Sequence, residues 1–497
     1  MQTVMTWWTQ SQWQALVPGG VLVGLALALM IVEVWRPRWM RWFGYVVMAG
    51  LIGIVYLILQ VWFHRQYAAF QNALVLDNVA LVVLLITIVS ASIVAIAVLP
   101  LWEERPHAGA SWLALMLISI VGMLAMVASP DVLVIFLGLE ILSLAVYVMI
   151  AYANPTAPVL ESAVKYFLLG AFAAAIFGMG IALFYGATRT TRLEEFAAWA
   201  SAARTEPHVW LAMLGLVLML IALGFEISAV PFHMWTPDVY QGAPTPTVAF
   251  ISVAVKAAAF AAILRIFGDM TQSLRTSPDW MGYGLAGLAG LTMIVGNVLA
   301  LRQTNVKRML AYSSIAHAGY MLIGVTVGGD AARESVLLYL LAYLFMNTGA
   351  FLVVAALEGW GIAPTLDQYR SIGYRHPAWA LALTVFLIAL TGIPATAGFI
   401  AKLWVFRAAL AHQWVSLVIV GVITTVVAAF YYFRVVWTMF ESVDDTVRRQ
   451  WRHLPDTPTM PLVGFAFAVA LCAFFTLQMG IWPDRFVHLV RIAFAAF

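Results

Sequence analysis

The sequence predicts an all-α polytopic membrane protein with about fourteen transmembrane helices. Hydrophobic residues make up 64% of the 497 residues and charged residues only 10%, with a mean hydropathy of +0.94. Soluble domains have about 45–50% apolar and about 25% charged residues, so composition excludes that class. A helix needs about 20 mostly apolar residues to cross a bilayer, and about fourteen runs qualify. The whole chain, residues 1–497, is therefore predicted to be one transmembrane domain.

The predicted spans are separated by short connections. They begin near Ala15, Phe43, Asn78, Ala110, Val132, Glu161, Val209, Thr247, Met281, Arg308, Ser335, Ala378, Val415 and Pro461. Loops after odd-numbered spans carry twelve Lys and Arg residues, whereas loops after even-numbered spans and the C-terminus together carry eight. Because positively charged loops stay in the cytoplasm, this bias predicts that both termini lie on the outer side of the membrane.

Two of the predicted spans are interrupted by proline. In the seventh, GFEISAVPFHMWTPDVYQGAPTPT, Pro231 lacks the backbone N–H that a continuous helix needs. Thr236, with the proline and aspartate that follow it, then has the composition of a new helix start. In the twelfth, LIALTGIPATAGFIAKLWVF, Gly392 and Pro394 interrupt the apolar run. We therefore predict that helices 7 and 12 are discontinuous.

The positions of the two breaks suggest an internal repeat. Interrupted spans at corresponding positions of two halves are typical of transporters built from inverted repeats. Here the breaks lie five spans apart, and each is close to a buried ionisable residue. We predict a first inverted repeat of helices 4–8 over residues 110–268 and a second of helices 9–13 over residues 281–441.

Five titratable residues lie inside apolar runs: Glu140, Lys165, Glu226, Lys256 and Lys402. Three of the four lysines in the chain are among them. A charged side chain at the centre of a bilayer costs about 2.5–3.5 kcal/mol or more, so it needs a partner or a hydrated path. Five such groups in one chain predict a route for protons or cations through the membrane.

Each of these residues also has a structural alternative. Glu140, in the middle of its span, is either a proton-binding site or a protonated side chain bonded to a neighbouring helix. Lys165 follows Glu161 by four residues, so it forms a local salt bridge or reaches Glu140 on the preceding helix. Lys256 has no charged neighbour in sequence and is either a relay lysine or a side chain that snorkels to the interface.

Two histidines and one arginine complete the candidate site. His317 lies among small and hydroxyl residues in AYSSIAHAGYMLIG, and His233 follows the break in the seventh span. Histidine titrates nearest neutral pH and can pass a proton in either direction, with a purely structural role as the alternative for both residues. Arg434, in the thirteenth span, is an accessory candidate that would shape the exit side.

No motif predicts a cofactor or metal site in this chain. The single cysteine, Cys472, cannot form an internal disulfide or hold an iron–sulfur cluster. The sequence has no GxGxxG fingerprint and no phosphate-binding loop, so we expect no nicotinamide, flavin or ATP to bind here. The net charge of +3 comes from loop arginines, which set membrane orientation. We expect lipid around this chain and no nucleic acid.

Three long segments resemble one known family: VPFHMWTPDVYQGAPTPTVAF (230–250), NVKRMLAYSSIAHAGYML (305–322) and GIPATAGFIAKLWVF (392–406). They are similar to the antiporter-like, proton-pumping membrane subunits of respiratory complex I. The WTPDVYQGAPTP and YSSIAHAGY forms resemble the subunit N branch of bacterial NADH–quinone oxidoreductase. The resemblance covers nearly the whole chain and implies a multi-pass protein of the bacterial cell (inner) membrane, in which the outer side predicted for both termini is the periplasm.

The resemblance also implies roles for individual residues. A proton path would pass through these residues of helices 5, 6, 8, 10 and 12: Glu140, Lys165, Lys256, His317 and Lys402. The family usually has a lysine in helix 7, where this chain has Glu226. Two nearby carboxylates, Glu140 and Glu226, cannot easily both ionise. Either Lys165 compensates, or the first half-channel works differently in this chain.

The resemblance further implies a chain that moves protons and holds no redox centre. Quinone, NADH, FMN and iron–sulfur clusters would be bound by partner subunits, and the membrane neighbours would be M-like and K-like subunits. A Mrp-type Na⁺/H⁺ antiporter subunit or the membrane subunit of an energy-converting hydrogenase is the alternative, because those relatives share the fold. A third hypothesis is a structural scaffold that has lost pumping through the change at Glu226.

Overall fold

Nearly all of the described chain is helical. The computed structural model describes residues 10–35, 39–62, 67–100, 106–153, 155–202, 208–268, 280–451, 453–455, 457–458 and 460–492. One small antiparallel hairpin, β1 (Tyr67–Ala69) and β2 (Leu74–Leu76), lies between the second and third helices. The prediction of an all-α protein is therefore confirmed.

The described residues of the first half of the chain form ten helices. A π-helical turn, Ile58–Trp62, extends the second of them. Their bounds are α1 Gln10–Trp35, α2 Met40–Leu57, α3 Asn78–Val98, α4 Pro106–Val127, α5 Val132–Ala153, α6 Ala157–Thr188, α7 Leu193–Ala202, α8 Val209–Glu226, α9 Trp235–Gly242 and α10 Thr245–Phe267.

The second half supplies eleven more helices in the described residues. Four of these, α14, α15, α19 and α21, are short connecting or terminal segments. The bounds are α11 Trp280–Ala300, α12 Val306–Val327, α13 Gly329–Glu358, α14 Leu366–Tyr369, α15 Ile372–Arg375, α16 Pro377–Thr391, α17 Ala397–Ala411, α18 Val415–Met439, α19 Asp445–Trp451, α20 Val463–Ile481 and α21 Asp484–Ile492.

Thirteen helices of the described chain are long and apolar enough to cross a membrane. A further span is divided between the shorter helices α16 and α17, which brings the total to the predicted fourteen. Each span begins within a few residues of its predicted start. The protein is therefore an integral, multi-pass membrane protein.

The seventh span breaks earlier than the proline predicts. Helix α8 ends at Glu226, and Ser228 adopts a left-handed conformation with φ of +63°. Pro231 therefore lies in the connection rather than inside a helix. The second part, α9, begins at Trp235, one residue before the predicted start at Thr236. A hydrogen bond of 2.7 Å from the Thr236 hydroxyl to the Ser228 hydroxyl holds the connection together.

The twelfth span breaks at the predicted glycine. Helix α16 ends at Thr391, and Gly392 follows it with φ of +90°, a conformation that glycine adopts without steric cost. Ala395 also has positive φ, at +68°, before α17 begins at Ala397. The break leaves carbonyl groups at the end of α16 free to bind a side chain. The predicted breaks in the seventh and twelfth membrane spans are thus confirmed.

Two helices, α10 and α13, form the centre of the molecule. Both are enclosed by other helices along their membrane-spanning length, and α13 packs against α10, α12, α16, α17 and α20. Helices α5 and α6 lie at the periphery and expose large apolar side chains such as Leu137, Leu144 and Phe172. Charged residues on the central helices are therefore shielded from lipid by protein.

Candidate functional site

Four of the candidate side chains are buried near the middle of the bundle. Glu226 is 3% exposed, Lys256 1%, His317 2% and Lys402 4%. They belong to α8, α10, α12 and α17. Of these helices, α10, α12 and α17 pack against α13. Because ionisable groups in a membrane protein interior are costly, the bonding partner of each decides what it can do.

Glu226 lies at the C-terminal end of α8, where the seventh span breaks. The Tyr166 hydroxyl donates to its carboxyl group at 3.5 Å. The Tyr166 ring stacks on Trp235 with ring centroids 4.3 Å apart, which fixes the hydroxyl beside the break. Within the described ranges, the structure gives Glu226 no ion pair with a lysine, arginine or histidine.

Glu140 was predicted to be buried, but it is less buried than expected. It is half-buried on α5, and it shares that helix's outward face with the exposed side chains of Leu137, Ile141 and Leu144. Its carboxyl group is close enough to Glu226 for the two to interact electrostatically. Glu140 therefore lies between the interior of this chain and whatever covers α5 in the membrane.

Lys165 pairs with neither Glu140 nor Glu226. Its Nζ pairs with Glu161 at 2.8 Å and with Asp238 at 2.9 Å, and the side chain is 43% exposed. Asp238 also pairs with Arg308 at 2.6 Å, so the cluster joins α6, α9 and α12. The local salt-bridge alternative is the one that the structure contains, and compensation of Glu226 by Lys165 is wrong for this conformation.

Lys256 is bonded only to neutral oxygen atoms among the described residues. Its Nζ donates to the Ser314 carbonyl at 2.7 Å and also to the Ser314 hydroxyl. Ser314 belongs to α12, so this contact joins the eighth and tenth spans. Snorkelling to the interface, the structural alternative for Lys256, is therefore wrong.

His317 is held between two tyrosine hydroxyls. Its Nδ1 lies 2.7 Å from the Tyr339 hydroxyl, and its Nε2 lies 3.4 Å from the Tyr432 hydroxyl. Tyr432 is also hydrogen-bonded to Ser313. Because a neutral imidazole has one donor and one acceptor, these two contacts satisfy both ring nitrogens and also provide a proton with two directions of transfer.

Lys402 binds at the break of the twelfth span. Its Nζ donates to the carbonyls of Thr391 at 2.9 Å and Leu390 at 3.4 Å, which are the free C-terminal carbonyls of α16. It also donates to the Thr425 hydroxyl at 3.2 Å and lies 4.5 Å above the Tyr320 ring. The C-terminal end of a helix carries partial negative charge, so the break itself favours an ammonium group here.

Tyr320 connects the Lys402 and His317 environments. The Thr425 hydroxyl, which accepts from Lys402, donates to the Tyr320 hydroxyl at 3.3 Å. The rings of Tyr320 and His317 lie 5.9 Å apart between centroids. Sequence reasoning missed Tyr320, Thr425 and the tyrosines around His317, because an isolated hydroxyl residue in an apolar run is usually a packing residue.

The two remaining candidates, His233 and Arg434, do not contact Lys256, His317 or Lys402. His233 is half-buried in the connection between α8 and α9. Arg434 donates to the carbonyls of Leu301 at 2.8 Å and Gln303 at 2.6 Å, just beyond the end of α11. Arg434 thus caps a helix end, and in this conformation it has no contact with the buried lysines. The described residues contain no group of three His, Cys, Asp or Glu side chains placed to hold a metal ion.

Comparison with known proteins identifies the family. The sequence profile described as "NADH:quinone oxidoreductase/Mrp antiporter, TM" matches residues 129–428. "NADH-quinone oxidoreductase subunit N 1" of Herpetosiphon aurantiacus is 41% identical over 431 residues, 85% of each chain. "NADH-quinone oxidoreductase subunit N" of Trichlorobacter lovleyi is 40% identical over 483 residues, 96% of each chain.

The chain belongs to the NADH:quinone oxidoreductase/Mrp antiporter family. Within that family it groups with the subunit N relatives, as its motifs indicate. A chain of respiratory complex I from Thermus thermophilus has the same fold, with 31% identity and a TM-score of 0.77 over 95% of this chain and 98% of that one. A chain of the Mrp complex from Dietzia shares the fold at 20% identity, with a TM-score of 0.80 over 96% and 97%.

Proposed function

We propose that this family member is the proton-translocating membrane subunit of a complex I-type NADH–quinone oxidoreductase, and that protons move along its row of buried polar residues. The path would run from Glu140 and Glu226 through Lys256 and His317 to Lys402. The observation that carries this proposal is that the two lysines of the path, Lys256 and Lys402, bond to neutral oxygen atoms. An ammonium group that is not locked in an ion pair can release its proton.

Electrostatic repulsion gives the path a way to pass a proton onward. His317 is within electrostatic reach of both Lys256 and Lys402. Interactions between charges are strong where water is excluded, so a proton that arrives at Lys256 disfavours a second positive charge on His317 or Lys402. Loading one site therefore promotes release from the next, and the tyrosine and threonine hydroxyls between them supply short hydrogen-bonded steps.

The charge cluster around Lys165 would act at the mouth of this path. Its ion pairs with Glu161 and Asp238 lie where the side chains are partly exposed, and they fix α9 against α6. His233 lies in the adjoining connection and would meet water at the same break. We place Lys165 and His233 in the hydrated inlet, and Arg434 as an accessory residue that holds the end of α11.

The remaining features of the assembly follow from the family. The chain would be a non-redox subunit, with quinone, NADH, FMN and iron–sulfur clusters in its partners. M-like and K-like subunits would cover faces such as that of α5, where the half-buried Glu140 needs protein or water beside it. We assign the chain to the bacterial inner membrane with periplasmic termini, and residues 110–268 and 281–441 to two inverted repeats.

Substitution of two residues tests this function in the intact complex. Lys256→Ala and Glu140→Gln should each reduce NADH-driven proton uptake into inverted membrane vesicles about tenfold or more, because each removes a proton-binding group. Complex assembly, checked by purification and subunit analysis, should persist. Arg407→Gln is the control, because it removes an exposed cation that lies outside the proposed path. Normal uptake in either test variant would overturn the assignment of that residue.

A further inference from the structure

A polar stripe on α13 faces His317 and α10, and only its first residue, Tyr339, belongs to the path described so far. Tyr339, Tyr343 and Asn347 follow one another at intervals of four residues and therefore share one face of the helix. Tyr339 bonds to His317, and the ring of Tyr343 lies 5.2 Å from the His317 ring between centroids. Asn347 continues the stripe towards α10, the helix that carries Lys256.

Asn347 is fully buried, and half of its amide group has no partner. Its Nδ2 donates to the Ser252 hydroxyl at 2.7 Å. Its Oδ1 has no hydrogen-bond partner among the described residues. Ser252 precedes Lys256 by four residues, so the two side chains are neighbours on one face of α10, with Cβ atoms about 5–6 Å apart. The Asn347 amide is therefore bonded to α10 one helical turn before Lys256.

Lys256 has a hydrogen-bond donor that lacks an acceptor. An ammonium group has three N–H donors. The Ser314 carbonyl and hydroxyl accept two of them, and the described residues provide no further acceptor for the third. A buried water molecule needs two to four polar partners, and it commonly satisfies groups that lack partners. A water molecule between the third Lys256 N–H and the Asn347 amide oxygen would satisfy both groups.

We propose that Asn347 is a positioning residue that holds a water molecule between its amide oxygen and the Lys256 ammonium group. This inference rests on the proposed function, in which Lys256 carries a proton at the centre of the path. The water completes the solvation of charged Lys256, so the lysine can hold its proton until the next group accepts it. Asn347 then sets the range of pH over which Lys256 stays loaded.

Other titratable groups face Lys256 from the helices packed around α10. His317 approaches from α12. Tyr240 on α9 and Tyr343 on α13 both face Ser314, the residue that binds Lys256. Glu140 and Glu226 lie on α5 and α8, whereas the membrane-spanning residues of α3 and α4 include no titratable side chain. A substitution at Asn347 removes none of these side chains.

The test compares two substitutions of opposite electrostatic effect in the intact complex. Asn347→Leu removes the acceptor, and the alkaline limb of the pH profile for proton uptake should move about one unit to lower pH, since a hydrogen bond to a charged group is lost. Asn347→Asp adds negative charge beside Lys256 and should move the same limb to higher pH. A merely structural role would not produce shifts of opposite sign.

Thr348→Val is the matched control. Thr348 is the next residue of α13, is fully buried, and also has an unpaired hydroxyl, but it points about 100° away around the helix. Its variant should keep the parental pH profile. An unchanged profile in assembled Asn347→Leu, shifts of the same sign in both Asn347 variants, or an equal shift in Thr348→Val would overturn the inference. Normal pumping by Lys256→Ala would instead overturn the proposed function.

Discussion

Glu226 offers the sharpest test of the electrostatic reasoning, because the family usually has a lysine at this point. We predict that Glu226→Gln assembles normally but loses most proton pumping. Glutamine keeps an oxygen that can accept from Tyr166, so the packing of the break should persist. It cannot gain or lose a proton, so it removes a proton-binding site without removing the contacts.

The size of the structural effect follows from the partners of Glu226. An ionised carboxylate buried without a cation costs several kcal/mol, and repulsion from nearby Glu140 adds to that cost. A hydrogen bond to a charged group contributes about 1.5–3 kcal/mol, and the Tyr166 contact at 3.5 Å is at the long limit for such a bond. The neutral acid is therefore the favoured resting form. Replacement of a neutral acid by an amide should change stability by less than about 1 kcal/mol.

The assay is NADH-driven proton uptake into inverted vesicles, read beside NADH oxidation and the thermal stability of the purified complex. Glu226→Gln should pump about tenfold less or worse, with little change in the unfolding temperature. Glu226→Lys should retain pumping, because it places an ammonium group beside Glu140. Tyr166→Phe is the control, since it removes one hydroxyl and leaves the carboxyl group. Wild-type pumping by Glu226→Gln, or failure of that variant to assemble, would refute the reasoning.

Two further predictions concern the other charged sites. Lys402→Arg keeps the charge but cannot release a proton at accessible pH, so vesicles with this variant should take up protons nearly as poorly as those with Lys402→Ala; full uptake would mean that Lys402 is a fixed charge. Asp238→Asn breaks the ion pairs with Lys165 and Arg308, which are partly exposed and worth about 0–1 kcal/mol each. The complex should still assemble with a slightly lower melting temperature. Its absence from purified membranes would mean that the two ion pairs contribute more to stability than this estimate.

The order of the spans could be predicted from sequence because hydrophobic length is a strong local signal. All fourteen predicted starts lie close to observed helices, and both broken spans were recognisable from proline and glycine. The exact break in the seventh span was not predictable. The chain leaves the helix at Glu226, five residues before Pro231, because the left-handed Ser228 and its contact with Thr236 are tertiary features.

The candidate site was predictable in its charges but not in their partners. An ionisable residue in an apolar run stands out, which is how Lys256 and Lys402 were found. Ser314 and Asn347 do not stand out, because serine and asparagine are tolerated in many helices and their role depends on which helix lies opposite. The partner of Lys165 was equally hidden, since Asp238 is 73 residues away along the chain.

In each broken span, an ionisable side chain lies at the C-terminal end of the first helix segment, but one side chain is a base and the other is an acid. Lys402 donates to the C-terminal carbonyls of α16, where a helix end stabilises positive charge. Glu226 lies at the C-terminal end of α8, where the same effect disfavours a negative charge by about 0.3–1 kcal/mol. A lysine at this position would be stabilised by the helix end, whereas a glutamate is pushed towards its neutral form. The first half of the path would therefore rest with a proton on a neutral acid, and the second half with a proton on an ammonium group. A neutral carboxyl group in place of the family's lysine makes the resting charge of the first half one unit less positive. Glu226→Lys would reverse that change.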